Sequence, residues 1–164
     1  MYIDYDARLS DKQDLTNASA TVSATSTYYL DTLQAGWGAN DEVYARFQVG
    51  TAFAGTAASS LTIAIQIAQD TAFSTVLTAA TTTISTVAKL PKNNIPFVVK
   101  LPVAMMTGQT QGDSLYTNYA TSGNLPYRYV RATYQVTGTG CALTAGTISC
   151  MLVMNPPVTI DRPM

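Results

Sequence analysis

The sequence predicts an all-β protein, a jelly-roll-like antiparallel β-sandwich of about eight strands with an extended C-terminal tail. Apolar residues recur with a period of two in five stretches, helical periodicity is hard to find, and glycines and prolines punctuate the alternating runs.

The first confident strand is residues 42–49, where Val43, Ala45, Phe47 and Val49 share one face while Tyr44, Arg46 and Gln48 take the other. Residues 60–68 alternate more purely, with Leu61, Ile63, Ile65 and Ile67 inward and Thr62, Ala64, Gln66 and Ala68 outward. A helix would scatter those branched residues around its circumference. Phe97, Val99 and Leu101 alternate with Val98 and Lys100, and Pro96 and Pro102 bracket the run as strand boundaries. Residues 128–136 place Val130, Ala132, Tyr134 and Val136 together, opposite Tyr129, Arg131, Thr133 and Gln135.

The last strong strand is expected over 147–154, with Ile148, Cys150, Leu152 and Met154 as its buried row. Gly138, Gly140 and Gly146 before it suggest a hairpin back to the 128–136 strand. Weaker strands fit 27–30, 75–78 and 82–87. Three regions fall outside the pattern: the Thr/Ser/Ala-rich stretch 16–27, the loop 105–126, and the tail 155–164. A loop that long is uncommon in a compact domain and often makes contacts. Pro156, Pro157 and Pro163 stiffen the tail into an extended arm.

At 164 residues the chain fits one domain over 1–154 followed by the tail. A chain of this size hides about two-thirds of its unfolded surface, enough for a real core. The net charge is −1, and nine Lys and Arg residues are scattered along the chain, so no basic patch for nucleic acid is evident. Charged residues make up 12%, about half the share usual for soluble domains, which suits a surface destined for contact. The opening MYIDYDARLSDKQD lacks the charged start and apolar run of a secretory signal, and no window is long enough for a transmembrane helix. The expectation is synthesis in the cytosol, with Cys141 and Cys150 reduced and no membrane partner.

The chain has no His, which removes the commonest general base and metal ligand together. Cys150 lies on an apolar row and reads as a small buried hydrophobe; Cys141, in a Gly-flanked turn, reads as an ordinary thiol. Asp4, Asp6, Asp11 and Asp14 are interleaved with Arg8 and Lys12, without the Gly turn and terminal Glu of a calcium loop, so they read as a solvated or interface-pairing face. Asp41, Glu42, Asp70 and Asp113 form no glycosidase motif, and no phosphate-binding Gly-rich loop is present. The expectation is a protein that is not an enzyme and has no catalytic residue, cofactor or metal.

Ten Tyr residues beside one Trp and four Phe make a biased aromatic set. Tyr2, Tyr5, Tyr28, Tyr116, Tyr119 and Tyr127 lie outside the clear inward rows. Tyr offers large contact area with a polar tip, which suits interfaces, and also caps sandwich edges. The candidate partner-contact residues are Tyr2, Tyr5, Trp37, Tyr116, Tyr119, Pro156 and Pro157.

The linear order of segments carries a resemblance. Met-x-x-Asp with Leu9-Ser10-Asp11 is followed by EVYARFQV, LTIAIQIAQDTAFSTVLT, FVVKLP, YRYVRATYQVTGTG and LTAGTISCMLV. The chain from Met1 to about Val153 resembles the jelly-roll cement (decoration) proteins of short-tailed phages of the Bordetella type. The resemblance implies a structural, non-enzymatic homo-oligomer, a dimer or trimer. It implies a place on the outer surface of the virion capsid, bridging and stabilising copies of the major capsid protein after synthesis in the host cytoplasm. The loop 105–126 and the tail after Met154 look longer than the family pattern. The alternative is a carbohydrate-binding jelly-roll module on a virion or cell surface, with Trp37 between Gly36 and Gly38 as its platform.

Overall fold

The computed structural model describes residues 7–16, 24–32, 41–55, 60–87, 90–103, 106, 127–137 and 143–154. They form nine strands: β1 (Arg8–Asp14), β2 (Ala24–Thr25), β3 (Leu30–Asp31), β4 (Val43–Gly55), β5 (Ser60–Ala68), β6 (Val76–Ser85), β7 (Phe97–Lys100), β8 (Tyr129–Thr137) and β9 (Leu143–Met154). Sheet one has the order β1-β9-β4-β7 and sheet two the order β2-β8-β5-β6, with β3 also on β8. All pairings are antiparallel.

β2 and β3 line the same edge of β8, at Tyr134 and Thr133 and then at Val130 and Tyr129, so they act as one interrupted strand. Counted so, eight strands remain, and β5 to β6 is the single connection among them that stays within its sheet. Every other one crosses the core, which is jelly-roll wiring. The all-β sandwich expected from alternation is therefore the fold; the tail 155–164 lies outside the described residues.

The core is built from the rows that alternation picked out. Val43, Ala45, Phe47 and Val49 of β4, Leu61, Ile63, Ile65 and Ile67 of β5, and Val130, Ala132, Tyr134 and Val136 of β8 have no solvent exposure. Burying one such aliphatic side chain contributes about 1.5–3 kcal/mol. Phe47 stacks on Phe97 within sheet one at 5.6 Å between ring centroids, and Tyr134 from sheet two meets Phe47 edge-on at 6.1 Å.

Several expectations need correction. The hairpin between the 128–136 strand and the last strand does not form: β8 lies in sheet two, and β9 enters sheet one between β1 and β4. An inward row is satisfied equally by a neighbour in its own sheet or by a row facing it across the core, so periodicity cannot choose the sheet. Gly146 is inside β9 at φ +143°, and a side chain there would run into the Phe53 ring. β9 thus starts at Leu143, four residues before the expected start at Thr147.

Met154 is not buried but 51% exposed, because the alternation breaks where Leu152 and Val153 are both buried. The two short strands at 75–78 and 82–87 are one strand, β6, whose Thr and Ala residues hide the alternation. The strand expected at 27–30 is replaced by the short pieces β2 and β3 on either side of residues 26–29. β1 was not foreseen: its register against β9 shifts twice, and Lys12 sits at φ 47°, so its burial follows no period of two.

Candidate functional site

Among the described residues, the titratable groups buried in the core are Cys150 and Tyr134. Burial pushes the Cys150 thiol well above its usual range. Burial, with the nearby Cys150, also pushes the Tyr134 phenol well up, while its hydrogen bond to Ser10 acts the other way. That bond, 2.6 Å between the Ser10 and Tyr134 hydroxyls, ties sheet one to sheet two through the core. Cys150 is unbonded. Among the described residues no three His, Cys, Asp or Glu side chains gather as a metal site. In the described part of the acidic opening, Asp11 pairs with Arg8 at 2.8 Å, and the Asp14 carboxylate accepts the Thr16 N–H at 2.9 Å.

The densest surface chemistry lies where β3, β8 and the β5–β6 turn meet. Tyr29 packs edge-on against Tyr129 at 5.9 Å and against Phe73 at 6.2 Å. The Arg131 guanidinium lies 4.2 Å from the Phe73 ring centre and donates through Nε to Gln66 at 2.9 Å. Burial lowers its pKa, yet a guanidinium keeps its proton in proteins. Arg128 grips Asp31 with two hydrogen bonds, which raise its pKa, and its guanidinium lies 5.0 Å from the Tyr129 ring centre. The turn that presents Phe73 is held by Asp70, whose carboxylate accepts from the Ser74 N–H at 3.2 Å and from the Ser74 hydroxyl at 3.3 Å. Tyr28 and Tyr29 are each about half exposed. Exposed Tyr beside ordered Arg is the composition of contact surfaces.

This patch lies at one end of the sandwich, where several described segments also begin or end. In sheet one, β4 begins at Val43 opposite the end of β9 at Met154, Tyr44 faces the end of β7 at Lys100, and β1 begins at Arg8 opposite Met151. In sheet two, β5 ends at Ala68 between Val76, which begins β6, and Tyr129, which begins β8. One backbone bond joins the two sheets here: the Tyr28 N–H donates to the Leu9 carbonyl at 2.9 Å. Within sheet one, the Leu101 N–H donates to the Val43 carbonyl at 2.8 Å and extends the β4–β7 pairing. Buried Thr32 donates its N–H to the Arg128 carbonyl at 2.8 Å and its hydroxyl to the Met106 carbonyl at 3.2 Å.

All seven candidate contact residues lie outside the described residues: Tyr2 and Tyr5 in 1–6, Trp37 in 33–40, Tyr116 and Tyr119 in 107–126, and Pro156 and Pro157 in 155–164. So does Cys141. The residues flanking those four segments, however, all belong to this same end, and Thr32, Met106 and Arg128 meet there. Tyr127 packs against the core and Tyr28 is exposed. Sequence reasoning passed over Tyr29, Phe73, Tyr129 and Arg131. The available signal was the outward row of residues 128–136, where Tyr129 and Arg131 stand together. Compared with protein-family models and with curated proteins, the chain finds no match.

Proposed function

We propose that this chain is a capsid cement protein of a tailed phage. It binds the outer surface of the shell as a homo-oligomer and bridges copies of the major capsid protein. One observation carries the reading: in this jelly roll the described residues that flank the four Tyr-, Trp- and Pro-bearing segments gather at one end, which also holds an aromatic and arginine patch. A wide contact area at one pole lets an oligomer grip several subunits weakly and gain avidity. Binding only the assembled shell then stabilises it by linkage. The residues play no catalytic part, and the site needs no cofactor.

The test compares phage particles with and without the protein for DNA release on heating or at low salt. Depleted particles should release DNA at a lower temperature, and adding the purified protein back should restore them. Equal robustness, together with no affinity for shells, would overturn the reading. Glycan binding in the same preparation would then favour the carbohydrate-binding alternative.

A further inference from the structure

Each sheet of an open sandwich leaves two edges, and an edge strand is a template for another chain unless something blocks it. Three of the four are blocked here. β1 carries Arg8, Asp11, Lys12 and Asp14 and two register shifts. β7 has four residues, lies between Pro96 and Pro102, and ends in Lys100. The β2–β3 edge is cut into two-residue pieces. β6 has none of these guards: ten residues, VLTAATTTIS, without a charge or a proline. Among the described residues no strand lies beyond it.

The strand also matches itself. In the register with β5, Leu77, Ala80, Thr82 and Ile84 stand opposite the inward residues Ile67, Ile65, Ile63 and Leu61. Val76 stands opposite Ala68, which is buried, and Thr78, Thr81, Thr83 and Ser85 stand opposite the outward residues Gln66, Ala64, Thr62 and Ser60. The shift between Ile65 and Gln66 leaves Ala79 as the extra residue. Run antiparallel to a copy of itself about Thr81, the strand pairs Leu77 with Ile84, Thr78 with Thr83 and Val76 with Ser85, while Ala79 and Ala80 together oppose Thr82. Every inward residue then meets an inward one. Without the bulge, the pairing would set inward Ala80 against outward Thr81.

We infer that β6 is a homodimerisation edge: two copies pair antiparallel through Val76–Ser85 about a two-fold axis at Thr81, joining their second sheets into one. Such an interface is isologous, with the same patch on both copies. The inference does not rest on the cement reading; a chain that dimerises through β6 and ignores shells would separate the two.

The experiment is sedimentation velocity combined with cysteine cross-linking in a Cys141→Ser background. Residues opposite each other in an antiparallel pair have Cα atoms about 4.5–5.5 Å apart, within disulfide reach. Thr81→Cys therefore meets its own copy and should form a covalent dimer at least tenfold faster than Thr83→Cys, whose copy is about 13 Å away at about 3.3 Å per residue. Mixing Thr78→Cys with Thr83→Cys protein should restore fast cross-linking. Thr81→Lys places like charges together on the axis and should convert the dimer to monomer, with an unchanged circular dichroism spectrum. A wild-type monomer at all concentrations, a trimer, or equal rates for Thr81→Cys and Thr83→Cys would overturn the inference.

Discussion

The two sheets share a core but turn different chemistry outward. On sheet two, Thr62 stands between Thr83 and Gln135, with the Thr62 and Thr83 hydroxyls 3.0 Å apart, and Ser60 bonds Thr137 at 2.7 Å. On sheet one, Arg46 stands between Val98 and Met151, and Lys100 beside Tyr44 pairs with Glu42. The ladders differ in the same sense. The β5–β8 pairing has no register shift, whereas β9 shifts against both β1 and β4. Short hydroxyls bonded across strands support an even ladder; bulges bend a strand and re-aim its side chains. The regular ladder is the β5–β8 pair at the centre of sheet two, whose edge strand β6 carries one bulge; in sheet one the irregular strand is β9, shifted against both of its neighbours.

The sharpest way to test this division is within β5, between its two faces. Ile65→Asp puts an unpaired charge into the core, at a cost of several kcal/mol, comparable to the whole stability of a domain. It should abolish soluble expression. Thr62→Asp, on the outward face, should stay soluble and lose at most about 1 kcal/mol in urea unfolding. Equal loss of soluble yield would break the assignment of faces.

A smaller effect is expected at the Ser10–Tyr134 bond between the sheets. Ser10→Ala leaves the buried Tyr134 hydroxyl without this partner and should cost about 1–3 kcal/mol. Tyr134→Phe in that background should recover part of the loss, and a double-mutant cycle in urea measures the coupling. Strict additivity would mean that the bond does not couple the sheets.

The smallest effect, nil at neutral pH, is alkaline. Burial raises both Cys150 and Tyr134, so below the ordinary thiol range the folded and unfolded chains hold the same protons there, and stability is flat. Above about pH 9 the unfolded chain loses these protons first, and stability falls. Cys150→Ala and Tyr134→Phe should each flatten the fall in unfolding midpoint with pH.

Where alternation was pure, as in β5 and β8, strand, face and core residues were legible directly, except that Ala68 at the end of β5, expected outward, is fully buried next to Ile67. Alternation failed where local geometry departs from a period of two. β1 is buried through consecutive Leu9 and Ser10, and Gly146 serves a strand packed on Phe53 although glycines usually mark turns. Sheet membership was illegible for β9, because an inward row does not name its neighbour. At the candidate site, Tyr129 and Arg131 were correctly faced outward, but their convergence with Tyr29 and Phe73 depends on the β5–β6 turn. Its Asp70 and Ser74 bonds are local, whereas its meeting with β3 is tertiary.

The polarity of the molecule bears on its use as a carrier. Arg8 and Met154, the strand residues nearest the two termini, both lie at the end proposed to make contact. The opposite pole carries Gly55 beside Leu143 and Ser60 beside Thr137, the flanks of residues 56–59 and 138–142. If the proposed contact end faces a shell, these flanks are the attachment points farthest from it, the arrangement a display scaffold requires.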